Sequence, residues 1–124
     1  MRFISYAQNG EDVVLWRALG DVDCGFYVDV GAAHPDDDSV TRAFYDRGWR
    51  GINIEPVPAM AQRIAEARPR DLTLPIAAGA ADGTAVLHIV EHTGLSTTDQ
   101  EVLASLGETA SPSTATPPWR ASCA

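Results

Sequence analysis

The feature that most constrains this chain is a pair of short apolar runs, each closed by glycine or proline, with a helix-length stretch between them. Phe26-Tyr27-Val28-Asp29-Val30 is opened by Gly25 and closed by Gly31. Its length and β-branched content suit a buried strand. A second run, Gly51 to Glu55, is broken by Pro56 and Pro58. Between the two, Val40 to Arg47 reads as a helix, with Pro35 and three aspartates at its start and Gly48 at its exit. Strands that alternate with helices assemble as a parallel sheet with right-handed crossovers, the doubly wound α/β class.

The flanking segments extend that pattern. Asn9 to Leu19 reads as a helix, with Asn9 as its cap, Glu11 and Asp12 in the first turn and Gly20 as its stop. Val13, Val14, Trp16 and Leu19 supply its apolar face, which Leu15 broadens. Ala59 to Ala67 is the next helix, closed by Pro69, and a third strand runs from Leu72 to Ala77 with Pro75 inside it. A proline there points to an edge position or a bulge. Asp82-Gly83 marks a turn, after which Ala85 to Val90 is a fourth strand, read as antiparallel to the third in a C-terminal β-hairpin. Thr98 to Leu106 is a short helix. The expected division is one domain over 1–106 and a Pro/Ser/Thr-rich, disordered tail over 107–124.

The length of 124 residues fits one domain, and the 45% apolar fraction is ordinary for a folded core. With nine arginines, no lysine and a net charge of −8, nucleic acid is disfavoured as a partner, because phosphate contacts need a basic face. Cys24 and Cys123 form neither a disulfide framework nor a zinc signature, and no metal site is expected. No run reaches the ~18 apolar residues of a membrane span, and the start lacks a basic-then-apolar leader. Both readings point to a cytoplasmic protein without membrane contact.

Ligands of doubly wound sheets sit beyond the carboxyl ends of the strands. Attention therefore falls on the loops after Val30, Ile54 and Ala77. In Asp29-Val30-Gly31-Ala32-Ala33-His34-Pro35 the glycine permits a tight turn and a close approach to the main chain. Glu55, 26 residues after Asp29, is placed to accept hydrogen bonds from ribose hydroxyls. The plainer alternatives are a surface carboxylate for Glu55 and a loop-holding core-edge aspartate for Asp29. His34 is either a proton acceptor or a residue that shapes the turn with Pro35.

The identity of the nucleoside follows partly by elimination. A dinucleotide site needs G-x-G-x-x-G, whereas only Gly31 is present and Asp36, Asp37 and Asp38 would repel a pyrophosphate. No phosphate-cradling G-x-x-x-x-G-K-[ST] occurs, and no lysine exists to serve one. S-adenosylmethionine has no phosphate and carries a sulfonium and an ammonium, so it tolerates an acidic helix start. The aspartates also suit the helix start on their own account.

The segments SYAQNGEDVVLWRAL, GFYVDVGAAHPDDDSVTRAFYDRGWRGINIEPVP and GLST together resemble the FkbM family of S-adenosylmethionine-dependent methyltransferases over residues 3 to 103. The resemblance implies a Rossmann-like class I methyltransferase fold and methyl transfer to oxygen, such as the hydroxyl of a sugar or another small molecule. It places Asp29, Gly31 and Ala32 on the methionine side of the cofactor and Glu55 on the ribose. Pro56 and Val57 come near the adenine, and Ala78 and Gly79 border its pocket. Gln8 and Ser96, the latter in GLST, line the mouth. Relatives continue into an acidic D-x-E-G strand and further elements that do not follow here. The expectation is therefore an incomplete sheet whose first strand has an open edge, a route to self-association. The alternative reading is a non-catalytic fragment that at most binds the cofactor.

Overall fold

The computed structural model describes residues 2–90 and 110–115. Its elements in chain order are α1 (Glu11–Leu19), β1 (Phe26–Val30), α2 (Arg42–Tyr45), β2 (Arg50–Ile54), α3 (Pro58–Ala67), β3 (Leu72–Leu74), β4 (Ala85–Val90) and β5 (Ala110–Ala115). β1, β2 and β3 form a parallel sheet in that order, with Val28 opposite Ile52 and Ile52 opposite Leu72. The expected α/β class and parallel pairing are both present.

Register decides what each face of the sheet carries, because successive side chains point to opposite sides. Tyr27, Asp29, Gly51, Asn53 and Thr73 share one face, and the C-terminal end of α3 brings Arg68 against it. Phe26, Val28, Val30, Ile52, Ile54, Leu72 and Leu74 share the other face. Among the described residues that apolar face is open: Phe26, Val28, Val30 and Leu72 are all exposed. Among the described residues β1 pairs only with β2. On the covered side β1 and β2 approach closely at Gly51, where a Cβ would run into the carbonyl oxygen and ring of Tyr27.

Aromatic packing joins the first helix to the second. Ring centroids step from Phe3 to Trp16 over 6.1 Å, to Phe44 over 5.5 Å and to Trp49 over 4.9 Å. Tilted and edge-on contacts of this kind add to the apolar burial. The Arg47 guanidinium lies 4.4 Å from the Phe3 ring centroid and 4.8 Å from that of Trp16, as a cation over two π faces.

Several boundaries differ from the sequence expectation. α1 begins at Glu11 with left-handed Gly10 as its cap, and Asn9 instead donates from its amide and side chain to Glu11. Its apolar face is not fully covered, since Val14, Leu15 and Leu19 are exposed, while the buried residue is Asp12. α2 is shorter than the expected 40–47 because Ser39 and Thr41 turn their hydroxyls toward Arg68, which holds residues 39–41 as a loop. β3 ends at Leu74, where Pro75 has no N–H to continue the ladder and the Ile76 amide turns back to the Leu74 carbonyl.

The largest correction concerns β4. It spans the expected residues, but its partner is β5, antiparallel, with Ala85 opposite Ala115 and Val90 opposite Ala110. β4 does not pair with β3 among the described residues. Residues 110–115, expected to belong to a disordered tail, are strand. The expected helix at 98–106 lies outside the described residues.

Candidate functional site

The three parallel strands end on the same side, and the loops that leave them meet there. Gly31 has a φ of 73°, in the left-handed region, and its amide and that of Ala32 donate to the Ile54 carbonyl at 2.8 and 3.2 Å. This turns the chain sharply across the end of β2. A Cβ at Gly31 would meet nothing within 4 Å, so the main chain is open to an approaching molecule. Ala33 is also left-handed, at φ 55°, which costs a non-glycine residue roughly 1–2 kcal/mol.

Glu55 compensates that strain. Its Oε2 accepts the Ala33 amide at 2.7 Å, and its Oε1 accepts the Val57 amide at 2.9 Å. Its own amide donates to the Leu74 carbonyl at 3.1 Å. The side chain is 5% exposed, so it is a clasp between loops rather than a surface carboxylate. Each carboxylate oxygen has two acceptor directions, and a second remains on each.

His34 accepts the amides of Asp36 and Asp37 at Nδ1, at 3.1 and 2.9 Å. This geometry is that of a residue shaping the turn. Asp36 and Asp46 are ion-paired with Arg42, while Asp37 is exposed with its Oδ2 3.7 Å from His34 Nδ1.

Behind the loops, Asp29 is half-buried, and its Oδ2 accepts the Thr41 hydroxyl at 2.5 Å. Arg68 is 2% exposed. Its Nη1 donates to Thr41 Oγ1 at 2.7 Å, and its Nη2 donates to the Pro35 carbonyl and Ser39 Oγ, both at 2.7 Å. Longer contacts reach Asn53 and the Tyr27 hydroxyl, which itself donates to Asp71. Among the described residues no carboxylate pairs directly with this guanidinium, and its Nε has no partner. Two carboxylates, Asp29 and Asp71, each stand one hydroxyl away from it. Burial, then the Asp71 hydrogen bond, push the Tyr27 phenol above its ordinary pKa, while the charge of Arg68 pulls the other way.

A pocket of about 230 Å³ lies beyond β2 and β3, lined by Ile54, Ile76, Ala77, Ala78, Gly79 and the turn at 81–83. Ala78 and Gly79 thus border a cavity. Asp29, Gly31, Ala32 and Glu55 gather beside it at the strand ends without lining it. Of the pair after Glu55, Pro56 is half-buried, and Val57 is buried with its amide on Glu55. Gln8 is exposed in the segment before α1, away from the pocket lining. Ser96 lies outside the described residues. Reasoning from sequence missed Arg68, Thr41 and Ser39. A lone arginine between Ala67 and Pro69 carries no local sign that it will be buried.

Among the described residues no three His, Cys, Asp or Glu side chains come together as a metal site. No helix there is long and apolar enough to cross a membrane. No curated protein and no solved structure matches the chain. A family model described as the methyltransferase FkbM domain matches residues 29–117, from Asp29 in β1 past the end of β5. That span covers more than half of the sequence and every loop of the candidate site after β1, so the chain belongs to the FkbM methyltransferase family.

Proposed function

We propose that the chain binds S-adenosylmethionine across the ends of β1, β2 and β3 and serves methyl transfer to the hydroxyl oxygen of a small molecule or sugar. The observation that carries this reading is Glu55, buried at the end of β2 and holding the loops after β1 and β2 beside the pocket. Family membership supplies methyl transfer as the reaction. The open main chain at Gly31 fits a ligand lying close to the backbone. Asp29, Gly31 and Ala32 face the methionine part, and Glu55 accepts the ribose hydroxyls with its remaining lone pairs. Pro56, Val57, Ala78 and Gly79 surround the adenine.

When bound, S-adenosylmethionine would supply an activated methyl group for transfer to the acceptor oxygen, and Asp29, Gly31, Ala32 and Glu55 would hold it at the strand ends. Such a transfer depends mainly on alignment, with base assistance optional. The residues of this chain contribute binding and orientation, and none is assigned as the base.

Calorimetric titration with S-adenosylmethionine tests the reading, with NAD as control and Glu55→Ala as the variant, each chain first shown folded by circular dichroism. Saturable binding of S-adenosylmethionine alone, weakened in the variant, is the expected result. Preference for NAD, or binding indifferent to Glu55, overturns it.

A further inference from the structure

We propose that Arg68 and Thr41 form a positioning relay that fixes the Asp29 carboxylate for the ammonium end of the cofactor; this rests on the S-adenosylmethionine reading above. A guanidinium only donates, and a threonine hydroxyl has a single proton. Because Arg68 Nη1 donates to Thr41 Oγ1 at 2.7 Å, that proton is directed to Asp29 Oδ2, 2.5 Å away. The carboxylate is thereby locked in one rotation. Its Oδ1 accepts no hydrogen bond among the described residues and remains free as an acceptor.

The same guanidinium grips the loop that leaves Gly31. Its Nη2 holds the Pro35 carbonyl and the Ser39 hydroxyl at 2.7 Å. One buried side chain, reaching in from the end of α3, therefore sets both the orientation of Asp29 and the path of the loop beside it. Burying a cation without a contact carboxylate is costly. A role confined to filling space does not need that charge, whereas orienting a hydroxyl toward a carboxylate does.

The test compares two probes. S-adenosylmethionine carries the ammonium, and 5′-methylthioadenosine keeps the adenine, the ribose and a neutral thioether sulfur but lacks the amino-acid arm, with its ammonium and carboxylate, and the sulfonium charge. Both are titrated into the native chain and into Thr41→Val, Thr41→Ser, Asp29→Asn and the Thr41→Val/Asp29→Asn double variant. Loss of one charge-assisted hydrogen bond corresponds to about tenfold or more in affinity. Thr41→Val should lose roughly that factor for S-adenosylmethionine and little for methylthioadenosine. Thr41→Ser should restore native binding, and Thr41→Val should add no further loss once Asp29 is Asn. If Thr41→Val fails to fold, Arg68→Lys is read by the same selective loss. Equal losses for both probes, or additive losses in the double variant, overturn the relay and leave the cofactor reading standing. A folded native chain that binds neither probe overturns the cofactor reading and the relay with it.

Discussion

Glu55 accepts the amide of Ala33 at 2.7 Å, joining the end of β2 to a left-handed residue in the loop after β1. The other oxygen holds Val57, so both acceptors face main-chain donors in a buried place. Glu55→Gln puts an NH₂ group against one of those amides, donor against donor. The expected loss is about 1–3 kcal/mol, read as a lower urea midpoint with an unchanged slope. An unchanged midpoint would remove the clasp from the account of this site.

Two glycines separate steric from conformational cost. At Gly51 a Cβ meets the Tyr27 carbonyl oxygen and ring, with backbone on one side that cannot swing away. Gly51→Ala should therefore cost about 1–3 kcal/mol or more through overpacking. At Gly31 space is open and only the left-handed φ of 73° opposes a side chain, which limits Gly31→Ala to roughly 1–2 kcal/mol. Urea unfolding of the two variants gives the order, and a reversal would contradict the packing described for β1 and β2.

These effects differ in how far they could be read from sequence. The strands Phe26–Val30 and Ala85–Val90 were legible to the residue, since local apolar runs bounded by turn signals specify them. The end of β3 at Leu74 is half legible: Pro75 marks a disturbance, but the position of its effect depends on the ladder with β2. The partner of β4 was not legible, because pairing across twenty residues is a tertiary choice, and Ala110–Ala115 is polar and contains Pro112. At the site, Asp29, Gly31 and Glu55 were visible as a spacing. Arg68 was not, because its importance comes from Pro35, Ser39 and Thr41, far away in the chain.

Tyr27 predicts an alkaline limit. Its folded pKa is raised above the ordinary value near 10, so the fold favours the neutral phenol. The stability from this group is fully present below pH 10 and is lost as pH rises through the higher folded value. Tyr27→Phe removes the hydroxyl that donates to Asp71, and should be less stable at neutral pH by about 0.5–1.5 kcal/mol. It should also lose less stability than the native chain between neutral pH and strong alkali. Parallel curves for the two would show that the Tyr27–Asp71 contact does not contribute.

Asp12 predicts the opposite limit. Burial pushes its carboxyl upward, but hydrogen bonds from the Ser5 hydroxyl and the amides of Tyr6, Ala7 and Val13 outweigh it and hold the pKa below 3.8. A depressed carboxylate contributes stability above its unfolded value, and that stability disappears as pH falls through the folded value. The group ties residues 5–7 to the first turn of α1, so acid should release this segment. Asp12→Asn keeps the shape but supplies one acceptor oxygen where the carboxylate has two, and should cost about 1–3 kcal/mol at pH 7. Its stability should then fall less than that of the native chain between pH 5 and pH 2. Thermal melts across that range decide the matter: if the gap between the two proteins fails to narrow in acid, the contacts of Asp12 are not what holds the N-terminal segment to the helix.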